Sequence, residues 1–385
     1  MKIGIVTGEY PPLKGGVGDY TQKLASQLIN KGNKVSIFTD HRCIATNYTL
    51  ENLQVIANTS RKWGWLDLWR TYYATANVDI LSIQYQAAAY GNMSPPIHFL
   101  PRFAIPPTTT TFHDLNPPYL FPKAGSLRSK SISELIHKSN GIITTNPEDY
   151  RLCTKRFKIN NIDEIPIGSN IPNVDPTTFS KKLIRSKYGV NNNELLLGYF
   201  GFLNQSKGGQ LLIETLAELH SAGISARLMF IGELVGTADP TNHKYLTETE
   251  DLARTLGMAK YIVKTGFVDP DIASILIQSC DMMVMPYLNG ASLRNGSLIA
   301  CLTNGCPIIT TKPSVDYNLL KDGINIVFVP NNNVSSTVKA ISDMRLNPTL
   351  RNQIGAEARK LHKVFDWSNI ADQTIAFFNK VLSKS

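Results

Sequence analysis

The chain has 385 residues, of which 43% are hydrophobic, and its formal net charge is +9. A chain of this length can bury a large core and exceeds the usual size of one domain, so we expect two domains. The alternation of strand and helix patterns predicts an α/β fold. The positive charge favours anionic partners such as phosphates or acidic lipid surfaces. No DNA- or RNA-binding motif accompanies the charge, so nucleic acid is not an expected partner.

The five cysteines are unevenly spaced and lie in or beside apolar runs. No Cys-x-x-Cys pair and no Cys/His cluster with zinc spacing occurs, so we expect buried, reduced thiols and no metal. The N-terminus enters a strand without the apolar segment of a signal peptide, and no apolar run reaches transmembrane length. These features predict a soluble cytoplasmic protein, with contact at the inner face of a membrane left open.

The chain opens with a β-α-β pattern, in which the glycine-rich loop 8–16 separates an apolar strand from a helix. Gly15 and Gly16 before the helix, and Asp40 at the end of the second strand, are compatible with dinucleotide binding. Thr21, however, stands where the third glycine of that motif belongs, and the loop is too long. We therefore favour a loop that faces a phosphate or substrate, and a purely structural turn is the alternative.

Residues 60–73, SRKWGWLDLWRTYY, hold three of the four tryptophans and three basic residues. Aromatic and basic side chains together suit a helix at a membrane surface. Trp65, Leu66, Trp69 and Tyr73 also form a stripe at helical spacing. We favour packing of this stripe against the sheet.

Two segments, 78–84 and 108–112, predict further strands, and the second is followed by His113-Asp114. Open α/β sheets bind their ligands at the carboxyl ends of parallel strands, so His113 is a candidate site residue. A hydrogen-bonded structural histidine is the alternative. The polar and basic composition of residues 172–194 then predicts the connection between two domains.

The second half restarts with a strand at 195–200, the loop GFLNQSKGG and a helix. Lys207 lies on this glycine-flanked loop and is a candidate counter-charge for phosphate, with a surface lysine as the alternative. Further on, Asp269 and Asp271 have a spacing that can hold a divalent metal. Asp269 as N-cap, Pro270 at the first helical position and Asp271 in the first turn are what helix initiation requires, so we predict the start of a helix here instead of a metal site.

Residues 286–311, PYLNGASLRNGSLIACLTNGCPIITT, predict a polar loop, a short helix that starts near residues 295–297 and ends at Gly305, and another strand. The first amides of a helix have no acceptor within it and attract anions, and Gly296 allows close approach. With Arg294 beside it, this end is a candidate anion site. An ordinary turn capped by Asn295 or Ser297 is the alternative.

Taken together, eight segments resemble the retaining glycosyltransferases of family four, and the resemblance covers essentially the whole chain. These segments, in order, are GEYPPLKGGVGDY, TFHD, IPIGSN, FGFLNQSKGG, TGFVD, CDMMVMPY, NGCPIITT and FDWSNIA. The resemblance implies the GT-B architecture, with two Rossmann-like domains facing each other across a cleft. Residues 1–172 would form the acceptor domain and 173–365 the donor domain, with a C-terminal helix at 366–385 crossing back to the first.

The resemblance also implies roles for individual residues. His113 would contact the transferred sugar, Lys207 the donor diphosphate, and Gly266 with Phe267 the nucleobase. His113, Lys207 and Arg294 are therefore the expected catalytic residues. The expected donor-binding residues are Gly15, Gly16, Gly201, Gly266, Phe267, Ser292, Asn295, Gly296, Ser297 and Leu298.

The sequence departs from the family pattern at three positions. Phe202 stands where the family usually has an arginine, and the two family glutamates fall at Ser292 and Ala300. By the resemblance, the second glutamate holds the ribose hydroxyls and the first lies near the sugar. We infer that Arg294 replaces the charge lost at position 202, while Ser292 and Ser297 supply hydrogen bonds.

The implied function is a metal-independent retaining hexosyltransferase of polysaccharide biosynthesis. It would use a UDP- or GDP-linked sugar, need no other cofactor and act on a hydroxyl of a glycan or lipid-linked acceptor. An oxygen of the departing diphosphate would accept the acceptor's proton, so no carboxylate nucleophile is required. The alternatives are a catalytically weak or inactive nucleotide-binding subunit of a glycan assembly complex and a nicotinamide enzyme.

Overall fold

A computed structural model describes residues 1–13, 15–43, 51–60, 63–91, 94–115, 125–235 and 240–384. As predicted, the protein is an α/β protein with two parallel sheets. The chain forms two compact units, one of Met1–Gly168 with Asp366–Ser385 and the other of Ser169–Phe365.

In the described part of the first unit, seven strands form one sheet in the order β3-β2-β1-β4-β5-β6-β7, and all neighbours pair in parallel. Ile3, Ile5 and Val6 of the first strand are fully buried, as expected for a strand covered on both faces. The strand order reverses between β1 and β4. The strands are β1 (Lys2–Thr7), β2 (Lys34–Asp40), β3 (Leu53–Thr59), β4 (Ile80–Tyr85), β5 (Thr108–Phe112), β6 (Gly141–Thr144) and β7 (Ile162–Glu164).

Helices of the first unit cover this sheet. They are α1 (Gly16–Asn30), α2 (Trp65–Ala74), α3 (Leu100–Phe103), α4 (Gly125–Lys138), α5 (Pro147–Lys155) and, from the end of the chain, α13 (Trp367–Leu382). Asp366 is the N-cap residue of α13, and its carboxylate accepts the amide hydrogens of Ser368 and Asn369. Its buried residues join the core formed by α1 and β1, and Trp367 meets the ring of Tyr20 at 5.1 Å between centroids.

The second unit repeats this plan, with six strands in the order β10-β9-β8-β11-β12-β13 among its described residues. The order again reverses beside the first strand of the unit, between β8 and β11. The strands are β8 (Leu195–Phe200), β9 (Ala226–Ile231), β10 (Ile262–Lys264), β11 (Met282–Met285), β12 (Ile308–Thr311) and β13 (Val327–Val329). The helices are α6 (Lys181–Lys187), α7 (Gly209–Ser221), α8 (Pro240–Thr255), α9 (Pro270–Ser279), α10 (Gly296–Thr303), α11 (Val334–Leu346) and α12 (Pro348–Lys360).

The segment 172–194, predicted as the connection between domains, instead belongs to the second unit, because the units divide between Gly168 and Ser169. It contains α6. The amide of Val174 donates to Ser274 Oγ at 3.0 Å, and its carbonyl accepts from Gln278 Nε2 at 2.8 Å. The polar composition therefore reflects a surface segment that is held by hydrogen bonds.

The predicted packing of the aromatic stripe of α2 against the sheet is wrong. Trp65, Leu66, Trp69 and Tyr73 are all exposed. The helix instead packs through the opposite face, with Asp67, Leu68 and Thr71 buried. Leu68 and Thr71 are also one helical turn apart, so the periodicity alone fits either face.

All five cysteines are buried and none forms a disulfide, as predicted. Within the described residues, no helix has both the length and the apolar character needed to span a membrane. No three His, Cys, Asp or Glu side chains in the described ranges converge on a point where a metal ion could bind.

Candidate functional site

In the second unit, the loops that follow β8 and β11 meet at the carboxyl edge of the sheet, where the strand order reverses. The amide of Leu288 donates to the carbonyl of Ser206 at 2.9 Å. Gly208 has a φ of +71°, and a Cβ there would lie well inside contact distance of the Pro286 carbonyl oxygen. Glycine therefore permits the close approach of the two loops.

Substitution of Gly208 by alanine is expected to destabilise the second unit. The left-handed backbone alone costs about 1–2 kcal/mol, and displacement of the Pro286 carbonyl adds to it. Gly257 is a matched control because it has a φ of +70° and nothing within 4 Å of its Cβ position. Chemical denaturation should show a larger decrease in the free energy of unfolding for Gly208→Ala than for Gly257→Ala. Equal losses would mean that the approach to Pro286 does not matter.

Lys207 lies at the centre of a cluster that these loops bring together. Its Nζ donates to Asn295 Oδ1 at 2.9 Å and lies 4.7 Å from the centroid of the buried Tyr287 ring. The Tyr287 hydroxyl in turn shares a hydrogen bond of 3.1 Å with Ser297 Oγ. We call these four residues, Lys207, Tyr287, Asn295 and Ser297, the Lys207 cluster.

The charge of Lys207 has no counter-ion among the residues that the structure describes. Burial lowers its pKa, which means that the charged ammonium group is partly desolvated. Among the described residues, no carboxylate lies within ion-pair distance of its Nζ. A half-buried cation without an internal anion is suited to bind one from solution.

The amino end of α10 lies beside this cation. Asn295 is the N-cap residue, but its side chain bonds to Lys207 instead of capping the helix. The amides of Asn295 and Leu298 donate to the carbonyls of Ser292 and Asn295, both at 3.0 Å. Among the residues that the structure describes, the Gly296 and Ser297 amides donate no hydrogen bond. These two amides and Lys207 form the candidate anion site.

Three other predicted residues on this edge contribute in different ways. The exposed Gly296 has nothing within 4 Å of its Cβ position, so a ligand can approach its backbone. Leu298 is fully buried and contributes to the core. Gly201 has a φ of +113°, and its Cβ position lies 3.2 Å from Ser297 Cβ, so the end of β8 passes directly against the first turn of α10.

The three residues at which the sequence departs from the expected family pattern, at positions 202, 292 and 300, have different surroundings. Ser292 Oγ shares a 3.0 Å hydrogen bond with the Tyr317 hydroxyl and accepts the amide hydrogen of Arg294 at 3.2 Å. Ser292 therefore shapes the turn that leads to Arg294, which is half-buried. Ala300 is buried in α10, whereas Phe202 is exposed.

The loop after β10 carries the predicted nucleobase residues. Gly266 has a φ of +66° and forms an antiparallel bridge with Gly232, and the ring of Phe267 is exposed. Farther along, Asp269 is the N-cap residue of α9, with Pro270 and Asp271 in its first turn. The predicted start of the helix is confirmed, but the Asp269 side chain makes no capping hydrogen bond to the described residues of the helix.

In the first unit, His113 directly follows β5 and is buried. Its Nε2 lies 3.0 Å from Gln84 Oε1, while Gln84 Nε2 donates to Ser82 Oγ at 3.0 Å. Because the amide oxygen of Gln84 can only accept, His113 Nε2 carries the proton and Nδ1 is left as an acceptor. Burial lowers the pKa of His113 to about 3, so the ring is neutral at physiological pH.

The glycine loop of the first unit has a different arrangement from the one that the sequence suggests. Glu9 Oε1 accepts the amide hydrogen of Val17 at 3.1 Å, and burial raises the pKa of Glu9. A Cβ on Gly15 would overlap this carboxylate, whereas Gly16 has open space. The chain's own carboxylate thus occupies the start of α1, where a dinucleotide-binding fold holds pyrophosphate. Sequence reasoning missed Glu9, although an acidic residue two positions after β1 could have indicated a carboxylate at this edge of the sheet.

Comparison with known families identifies much of the second unit. Residues 180–361 match the family described as Glycosyl transferases group 1. The chain contains a group 1 glycosyltransferase domain. This domain includes the Lys207 cluster and the amino end of α10, so the candidate anion site belongs to it.

Individual relatives agree with this glycosyltransferase assignment over the full chain. An uncharacterized glycosyltransferase of Methanocaldococcus jannaschii is 22% identical, and the match covers 97% of each protein. A glycosyltransferase from Rickettsia africae superimposes with a TM-score of 0.79 at 18% identity, covering 100% of this chain and 99% of that one. HepE of Anabaena in complex with UDP-glucose superimposes with a TM-score of 0.74 at 17% identity, and the match covers 100% of each chain. The solved structures show the shared fold, which is the predicted GT-B fold.

Proposed function

We propose that this glycosyltransferase moves a sugar from a nucleotide diphosphate sugar to a hydroxyl of a glycan or lipid-linked acceptor in polysaccharide biosynthesis. In this proposal the reaction retains the anomeric configuration and needs no metal. The observation that carries the proposal is Lys207, a partly desolvated cation beside two open helix-terminal amides. A diphosphate supplies the negative charge that this arrangement is suited to bind.

The reaction gives each of these groups a defined task. Cleavage of the bond between the sugar carbon and the diphosphate oxygen develops positive charge on the sugar and negative charge on the diphosphate. Lys207 and the Gly296 and Ser297 amides would stabilise the second charge. The acceptor oxygen forms the new bond on the same face of the sugar, and its proton passes to a diphosphate oxygen. This route needs no carboxylate at positions 292 and 300, where the chain has serine and alanine.

We propose that the donor sugar is linked to UDP or GDP. Anabaena HepE, which shares the fold, was crystallised with UDP-glucose. The exposed ring of Phe267 is available to stack on a nucleobase, since aromatic faces attract flat ring systems.

The function is tested by thermal shifts followed by turnover. A ligand that binds only the folded protein raises the melting temperature, so we expect UDP or GDP and its matching sugar nucleotide to stabilise the protein. Sugar transfer should then be measured with that donor over a panel of acceptors. The missing carboxylates at positions 292 and 300 favour a second candidate, an inactive nucleotide-binding subunit, which would show nucleotide binding without turnover. Absence of stabilisation by any nucleoside diphosphate would contradict both candidates.

We propose that Arg294 supplies the positive charge that the family usually has as an arginine at the position of Phe202. Arg294→Ala should weaken donor affinity about tenfold, or ~1.4 kcal/mol, as expected for loss of one charge-assisted contact. Because Phe202 is exposed, arginine fits there, and Phe202→Arg in the Arg294→Ala background should restore much of the affinity. Titration calorimetry measures both effects, with Phe202→Ala as the control. Unchanged affinity in Arg294→Ala would refute the replacement.

A further inference from the structure

The first unit exposes a concentration of large apolar side chains that the sugar chemistry does not use. They lie on α2 and on the segment that includes α3. We call them the aromatic face: Trp65, Leu66, Trp69, Tyr73, Phe103 and Ile105, all exposed. Single exposed apolar residues are ordinary on protein surfaces, but a contiguous set indicates an interaction site.

Ring contacts join the two segments into one surface. Trp65 lies 5.7 Å from Phe99, and Trp69 lies 5.7 Å from Phe103, between ring centroids. Underneath, Leu68 of α2 and Leu100 of α3 are fully buried in the core of the unit. The aromatic face is therefore anchored to the folded core and presents its rings in a fixed arrangement.

The charges around the aromatic face are basic. Residues 63–75 and 94–107 contain one acidic residue, Asp67, which is buried and accepts hydrogen bonds from Ser60 Oγ at 2.7 Å and the Gly64 amide at 2.9 Å. The side chains of Arg70 and Arg102 are exposed, although each has a carboxylate nearby: Arg70 lies 3.6 Å from Asp67 Oδ1 and Arg102 lies 3.2 Å from Glu134 Oε1. Two more basic residues, at positions 61 and 62, directly precede this stretch in the sequence and lie outside the described residues.

We propose that the aromatic face docks on an anionic lipid surface. Tryptophan and tyrosine favour the boundary between lipid head groups and acyl chains, where the ring is buried and its polar atom stays hydrated. Arginines beside them attract anionic head groups, and the net charge of +9 adds to this attraction. The absence of an exposed carboxylate in the two segments removes the repulsion that such a surface would otherwise meet.

Vesicle flotation tests this docking. The full chain should float with vesicles of phosphatidylcholine and phosphatidylglycerol, float less with phosphatidylcholine alone, and detach as salt rises. Leu66→Ser with Tyr73→Ser removes side chains that are 72% and 73% exposed, so the fold should remain intact. We expect this double variant to lower the partition coefficient at least about tenfold. The matched control is Leu183→Ser with Leu346→Ser, at positions 71% and 75% exposed in the second unit, which should bind like wild type.

Tryptophan fluorescence gives a second readout. Trp65 and Trp69 are exposed, whereas Trp63 and Trp367 are buried. Brominated lipids should therefore quench the tryptophan fluorescence of the wild type but not that of the double variant Trp65→Phe with Trp69→Phe. Absence of flotation, or equal binding by the Leu66/Tyr73 variant, would overturn the proposal. A concentration-dependent dimer would also overturn the proposal if the Leu66/Tyr73 variant abolishes it and vesicles do not dissociate it. The aromatic face would then bind a second copy of the chain.

Discussion

Lys207→Ala is expected to lower kcat/KM about 10²–10³-fold while the protein stays folded, because the variant loses a charge aimed at the departing diphosphate. The cation in the wild type is desolvated and held by Asn295 Oδ1 at 2.9 Å, so it needs little rearrangement to meet the ligand. Most of the loss should appear in kcat if the contact strengthens in the transition state. Steady-state kinetics with the donor identified by thermal shift measures the effect.

Lys260 provides a matched control for Lys207. Its Nζ also lies over a tyrosine, 5.0 Å from the Tyr261 ring centroid, but it precedes β10 and so lies at the opposite edge of the same sheet. Lys260→Ala should leave kcat/KM unchanged. If both variants lose activity equally, the effect reflects stability, and if Lys207→Ala keeps full activity, the proposed role of this lysine is wrong.

The pH dependence of donor binding gives an independent check on Lys207. Burial holds its pKa below the ordinary value of 10.5, and a bound diphosphate favours the protonated form. Affinity should therefore be full at neutral pH and decline as the pH rises through the lowered pKa. Lys207→Arg should lose this alkaline decline, because an arginine stays charged throughout the range.

Gln84→Glu is expected to make activity pH-dependent through His113. In the wild type, His113 has a pKa of about 3 and stays neutral, with Nδ1 free to accept a hydrogen bond that we propose comes from a hydroxyl of the transferred sugar. A carboxylate at position 84 would favour the imidazolium and raise the pKa of His113. Protonated Nδ1 cannot accept, so activity should fall about 10- to 100-fold on the acidic side of the new pKa.

The pH profile of kcat/KM separates this positioning role of Gln84 from a structural one. The wild type should show no titration from His113 between about pH 5 and 8, while Gln84→Glu should show an acidic limb. Gln86→Glu adds the same charge at a neighbouring position that does not bond to His113, and its profile should follow the wild type. Parallel profiles for Gln84→Glu and wild type would contradict the assignment of the Nε2 proton.

Local patterns in the sequence were sufficient to place several site residues. Lys207 and His113 were predicted as candidate site residues because each follows a predicted strand, and strand ends meet at one edge of a parallel sheet. The end of α10 was also predicted, since Gly305 takes the left-handed conformation, with a φ of +67°, just after the helix. Strand β3 and helix α4 were not predicted, although Ile132, Leu135 and Ile136 of α4 have helical spacing and are buried.

The partners of the site residues could not be predicted, because they come from distant parts of the chain. Asn295 is 88 residues from the lysine that it bonds, and Gln84 is 29 residues from His113. Whether Asn295 caps a helix or accepts from Lys207 depends on the meeting of two loops, which Gly208 permits. The exposed stripe of α2 shows the same limit, since periodicity defines helix faces but does not determine which face meets the core.

A crystal structure with a bound uridine diphosphate sugar would locate the diphosphate relative to Lys207 and the amino end of α10. We expect diphosphate oxygens within hydrogen-bond distance of Lys207 Nζ and of the Gly296 and Ser297 amides. A structure in which the sugar nucleotide binds elsewhere, with Lys207 still bonded only to Asn295, would contradict this expectation.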